Sequence, residues 1–151
     1  MGSRGGGVCI YIKSVYSPTE IIEDFGLSNP LIETVWCSCS VNNEKILLGC
    51  IYRPGDASEE GNRQINRTLG QANNLVKKGD FSGVMITGDF NYWGIEWESF
   101  GQGKLTNACY NYREFLENYE ESGLIQNIYF KTFQDGDGNL TNTLDLFFTD
   151  L

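Results

Sequence analysis

Residues 84–97 read VMITGDFNYWGIEW: an apolar, β-branched run that stops abruptly at Asp89 and Asn91, with only Phe90 between them. Together with Gly83 the run has the composition of a buried strand, and the reading for 83–89 is β. In mixed or parallel α/β sheets chemistry collects beyond the carboxyl ends of the strands, so an acid and an amide delivered there are candidates for a site. With a single residue between them the two polar side chains can face one way while Phe90 turns into the core. Gly88, Asp89 and Asn91 are equally ordinary material for an Asx turn, and the pair alone does not decide between the two readings.

Working outward, the apolar positions Ile65, Leu69, Ala72, Leu75 and Val76 follow helical spacing over 62–78, with Gly79 placed to end the helix. Tyr112, Phe115, Leu116 and Tyr119 repeat the pattern before Gly123, a face that belongs to a core. Upstream, LIETVWCSCSV (31–41) and EKILLGCIYR (44–53) flank Asn42 and Asn43, which makes a hairpin. Residues 7–13 alternate and are rich in Val and Ile, so they too read as a strand. Residues 90–109 read as a long aromatic loop, and the tail from Leu124 as two or three strands around a Gly/Asp/Asn loop at 134–142. Strands alternate with helices in the middle while hairpins sit near both ends, which predicts an α/β mixed-sheet sandwich.

The 151 residues suffice for one domain with a sizeable core, and 13% aromatic content argues against a disordered chain. No apolar run is long enough to span a membrane, and the first residues lack the layout of a secretory signal, so a cytoplasmic or nuclear location is the default expectation. Five cysteines, four of them within apolar runs, predict reduced thiols in the core. The absence of histidine and the Cys37-x-Cys39 spacing argue against zinc. A formal charge of −9 sits badly with nucleic-acid binding, which rests on Lys and Arg; a polyanion must be met by local geometry, by a metal, or by Arg53 and a few other cations.

Two motifs fail. FGQGKLT has Leu105 where a phosphate-binding loop needs Ser or Thr, and DGDGNLTNTLDL has Leu140 and Leu146 where a calcium loop needs Gly and Glu. The second is more simply a hairpin loop.

A wider ordered set is present: GGGVCIYIK (5–13), IYRPG (51–55), GDFNYWGIEW (88–97) and TLDLFFTD (143–150). In that order these motifs resemble the endonuclease/exonuclease/phosphatase family, and most of all the endonuclease domain of non-LTR retrotransposons. The resemblance runs from Gly5 onward, implying a single domain over 5–151 after a flexible 1–4. It implies a four-layer β-sandwich flanked by helices, and a Mg²⁺- or Mn²⁺-dependent activity that nicks DNA beside a reverse transcriptase domain in the same polypeptide. It assigns activation of the attacking water to Asp89, positioning of that water or of a phosphate oxygen to Asn91, a hydroxyl against the phosphate to Tyr52, a supporting hydrogen bond to Thr132, and the last acid to Asp145. An acid between Leu144 and Leu146 in an apolar strand is expected to need a partner, because an unpaired buried charge is costly.

The family's partner for that acid is a histidine, and this chain has none. Its metal-binding Glu and its last, His-bearing strand also find no match, so the chain reads as the middle of such a domain, incomplete at both ends and inactive or very weak alone. Missing strands would expose sheet edges and apolar surface and favour self-association. A non-catalytic relic or weak binding module of the same fold is the alternative. A phosphatase or phospholipid-cleaving member is another, since the same acid and amide serve any phosphoester. Trp93 and Trp97 could stack on bases, although packing is the commoner use of such residues.

Overall fold

Asn42 and Asn43 both take left-handed backbone conformations, which suits Asn and gives the hairpin turn the twist of its strands. They join β2 (Glu33–Val41) to β3 (Glu44–Tyr52), which pair antiparallel in register from Glu33↔Tyr52 to Val41↔Glu44. The computed structural model describes residues 7–150, so the expected flexible end at 1–4 lies outside the described residues.

From β3 the chain crosses through α1 (Glu59–Lys78) to β4 (Gly83–Asp89), which runs parallel to β3. α1 begins three residues before its expected start because Ser58 caps it, accepting from the Gly61 N–H at 3.1 Å. Gly79, left-handed, closes it, with Asp80 N–H donating back to the Leu75 carbonyl. β4 is flanked on its other side by β10 (Asp145–Thr149), antiparallel, and the six-stranded order is β1-β2-β3-β4-β10-β7, with β1 (Thr19–Glu20) and β7 (Ile125–Gln126) at its edges. Two antiparallel ribbons complete the strands: β5 (Ile95–Glu98) with β6 (Gln102–Leu105), and β8 (Phe133–Gln134) with β9 (Leu140–Asn142). The chain is a mixed α/β protein, as the alternation of elements predicts.

One sheet face is covered by α1 and α2 (Tyr110–Ser122). Leu47 and Ile51, Val84 and Ile86, and Leu146 and Phe148 point into this core, where they meet Ile65, Leu69 and Ala72 of α1 and Phe115 of α2. Phe90 goes in as expected, and its ring packs edge-on against Phe148 at 5.3 Å. Trp97 is also buried, edge-on to Tyr119, so it packs and has no face to offer a base. The opposite face carries Val35, Leu48, Cys50 and Phe147, all half-buried, and Met85, which is exposed.

Three expectations change. Residues 7–13 form no ladder: Val8, Ile10 and Ile12 alternate half-buried against exposed neighbours, yet among the described residues no strand pairs with them, and alternation alone does not make a strand. The 90–109 stretch is no plain loop, since the β5–β6 ribbon forms within it. Of the five cysteines, all free, only Cys39 is buried; Cys37, Cys50 and Cys109 are half-buried and Cys9 is exposed. Among the described residues no helix is long and apolar enough to cross a membrane.

Candidate active site

The site is built by register. Tyr52 of β3 is level with Asp89 of β4, and Asp89 is level with Asp145 of β10. Residues paired across neighbouring strands project to the same face, with strands about 4.8 Å apart. The alternation fixes which face: Ile51, Gly88 and Leu146 point to the helices, so Tyr52, Asp89 and Asp145 stand in one row on the other side. Glu33 of β2, level with Tyr52, extends the row, and its carboxylate accepts from the Gly7 N–H at 2.6 Å. Sequence reasoning missed Glu33, because its place depends on the hairpin register alone.

At Asp89 the strand ends and the chain turns sharply. Asn91 has φ +50, and its N–H donates to Asp89 Oδ1 at 3.2 Å, so the Asx turn is present as well as the site. The Asn91 side chain does not simply join Asp89 in facing outward: its Nδ2 donates to the Arg53 carbonyl at 2.8 Å. The Phe90 N–H donates to the Leu144 carbonyl at 2.9 Å, tying the turn to the start of β10. Gly88 is required here, since a Cβ at its position would run into the Ile51 carbonyl.

Thr132 serves the other acid. Its Oγ1 accepts from the Leu144 and Asp145 N–H groups at 3.0 and 3.1 Å, orienting the entry into β10. Asp145 itself is exposed, with Leu144 and Leu146 pointing inward beside it. The expected buried charge in need of a partner is therefore absent: the strand pleat turns the acid out and water solvates it. Thus Tyr52, Asp89 and Asp145 share one row, Asn91 and Thr132 brace it from behind, and none of the five lies elsewhere.

Burial raises the Asp89 carboxyl above its ordinary value, and repulsion from the Asp145 carboxylate adds to this; hydrogen bonds from Asn91 and the positive charge of Arg53 oppose it. Two hard oxygen donors side by side on neighbouring strands suit Mg²⁺ or Mn²⁺, which bind proteins through one or two carboxylates and take further ligands from phosphate and water. Among the described residues no third His, Cys, Asp or Glu joins them to complete a protein-only cage.

Arg53, expected as a surface cation, is buried at 2% exposure. Alternation past Ile51 and Tyr52 puts it on the helix side, where its Nε donates to Asn62 Oδ1 at 2.7 Å and its guanidinium lies 4.2 Å from the Tyr92 ring centre. Trp93, 41% exposed, packs edge-on against Phe133.

No family model matches the chain, and no curated protein does. Among solved structures it is similar to the endonuclease domain of TRAS1, a telomere-specific non-LTR retrotransposon, at 20% identity over 78% of this chain and 50% of that one, with a TM-score of 0.49. It is similar to a 3′ phosphatase, NExo, from Neisseria, bound to a product DNA hairpin, at 13% identity over 76% and 51%, TM-score 0.44. It is also similar to beta toxin from Staphylococcus aureus, at 14% identity over 78% and 42%, TM-score 0.40. The chain spans about half the length of the chains it matches.

Proposed function

We propose that this chain is part of a metal-dependent phosphodiesterase of the endonuclease/exonuclease/phosphatase family that nicks DNA, of the kind that works beside a reverse transcriptase in non-LTR retrotransposons. The observation that carries the reading is the row of Tyr52, Asp89 and Asp145 across three adjacent strands at one sheet end. Residues this far apart in sequence reach one rim only through the fold, and they are the residues the sequence motifs single out.

Hydrolysis of a phosphodiester needs a water stripped of a proton, an aligned phosphate, and relief of the charge that builds on it. Asp89, level with Asp145 at the end of its strand, is placed to orient the water and take the proton. The Tyr52 hydroxyl is the donor offered to a phosphate oxygen. Asn91 and Thr132 hold the turn and the strand entry, keeping the two acids level. A divalent ion held by Asp89 and Asp145 would neutralise phosphate charge when bound. The 151 residues hold no histidine, so the family's imidazole must come from elsewhere or the chain is inert. DNA as the substrate follows from the motif resemblance, not from these side chains, which suit any phosphoester.

A non-catalytic module of the same fold is the second reading, favoured by the capture of the Asn91 amide by Arg53. Nicking of supercoiled plasmid in Mg²⁺ separates the two. The chain alone leaves plasmid intact, while the product of the complete reading frame around it nicks, and loses that activity on Asp89→Ala or Asp145→Ala. Nicking by the long product that survives both changes, or no nicking by it at all, contradicts the enzymatic reading. Metal-dependent nicking by the chain alone, abolished by Asp89→Ala, contradicts its inertness.

A further inference from the structure

Arg53 poses a physical problem that the roles above leave open. It is nearly fully buried, and among the described residues the ion pairs involve only Arg63 and Arg67, so no carboxylate lies within pairing distance of its guanidinium. A buried cation without a counterion is costly unless its donors are all engaged by something worth holding.

What it holds is the turn that carries Asp89. Its Nη1 donates to the carbonyls of Phe90 at 3.3 Å and Asn91 at 3.1 Å. Its main chain grips the same turn: the Arg53 N–H donates to the Asp89 carbonyl at 2.9 Å, and the Arg53 carbonyl accepts from Asn91 Nδ2 at 2.8 Å. Asn62 of α1 in turn fixes the guanidinium. Asn62 Oδ1 accepts from Nε, while its Nδ2 is anchored to the Ala57 and Ser58 carbonyls at 3.1 and 2.9 Å. The Tyr92 ring, stacked on Phe115 at 4.0 Å, forms the floor. The chain of contacts runs from the helix cap through Asn62 and Arg53 to Asn91, whose left-handed backbone makes the turn.

We propose that Arg53 is a positioning residue: gripping the Phe90 and Asn91 carbonyls from beneath, it holds the 89–91 turn in the shape that sets Asp89 level with Asp145. The part this plays in cleavage rests on the reading of Asp89 as proton acceptor; the shaping of the turn does not.

The test uses the full isotope-labelled chain and needs no cleavage: hydrogen exchange is followed by NMR at the Asn91 amide and across β2 and β3. In Arg53→Gln Asn91 exchanges about tenfold faster while the amides of β2 and β3 keep their wild-type rates. Arg53→Lys keeps the charge but lacks the fork, so Asn91 still exchanges faster. A folded Arg53→Gln chain in which Asn91 exchanges at the wild-type rate overturns the proposal. Should that variant fail to fold, Arg53→Lys decides: Asn91 exchange at the wild-type rate overturns it, and exchange faster at Asn91 but not in β2 or β3 upholds it. Because the readout does not depend on DNA, a chain inert on plasmid leaves the proposal standing.

Discussion

The two faces of β4 differ in everything but their backbone. Val84, Ile86 and Phe90 are sealed beneath the helices, whereas Met85 is exposed, Thr87 is exposed and Asp89 is half-buried beside Asp145. One strand thus supplies the packing that makes the fold and, one residue out of phase, the polar groups that make the site. Any one-residue slip of register would exchange the two sets, so the hydrophobic face is what aims the acids.

The inner face should carry the larger effects. Phe90→Ala removes a ring packed against Tyr92, Phe115 and Phe148, and should destabilise by about 3–5 kcal/mol in chemical unfolding. Thr132→Val keeps the shape but leaves the partly buried Leu144 N–H and the more exposed Asp145 N–H without their acceptor; about 1 kcal/mol should be lost on the same scale.

Asp89→Asn acts in the other direction. The folded-state carboxyl is raised above its ordinary value, so its contribution to stability is present in full below that ordinary value and is lost as pH rises through the folded one. Asn mimics the protonated form. The variant should therefore melt higher than wild type at neutral pH, by no more than about 2 °C because solvent screens a group this exposed, and the advantage should vanish near pH 3. A lower melting temperature at pH 7 would mean that the charge is compensated. Met85→Ser, on the outer face, should change stability least, within about 0.5 kcal/mol. If it rivals Phe90→Ala, the outer face is covered in solution.

How much of this was legible in the sequence follows the same division. The β2–β3 hairpin, β4 and both helices carry local signals: paired asparagines, an apolar run, helical spacing and a terminal glycine. The β5–β6 ribbon was missed because its strands are four residues each, and β6 contains Gly103 and Lys104, which read as loop. For 7–13 alternation was visible, but pairing depends on a neighbour that no local pattern reports. The places of Asp145 and Arg53 came out inverted: the acid between leucines was expected to be buried, and Arg53 was expected among the cations that could meet a polyanion. Both follow from strand phase, which places Asp145 outward and Arg53 inward. Motifs named the acids, and only register could set them level.

The central claim is that Asp89 and Asp145 form one site, distinct from the rest of an acidic surface. Trace Mn²⁺ added to the labelled chain tests it, because paramagnetic broadening marks where the ion dwells. The account predicts that signals around Asp89 and Asp145 broaden first and that Asp89→Asn removes the effect; broadening that begins at the Asp135–Asn139 loop, or spreads evenly over the surface carboxylates, would contradict it.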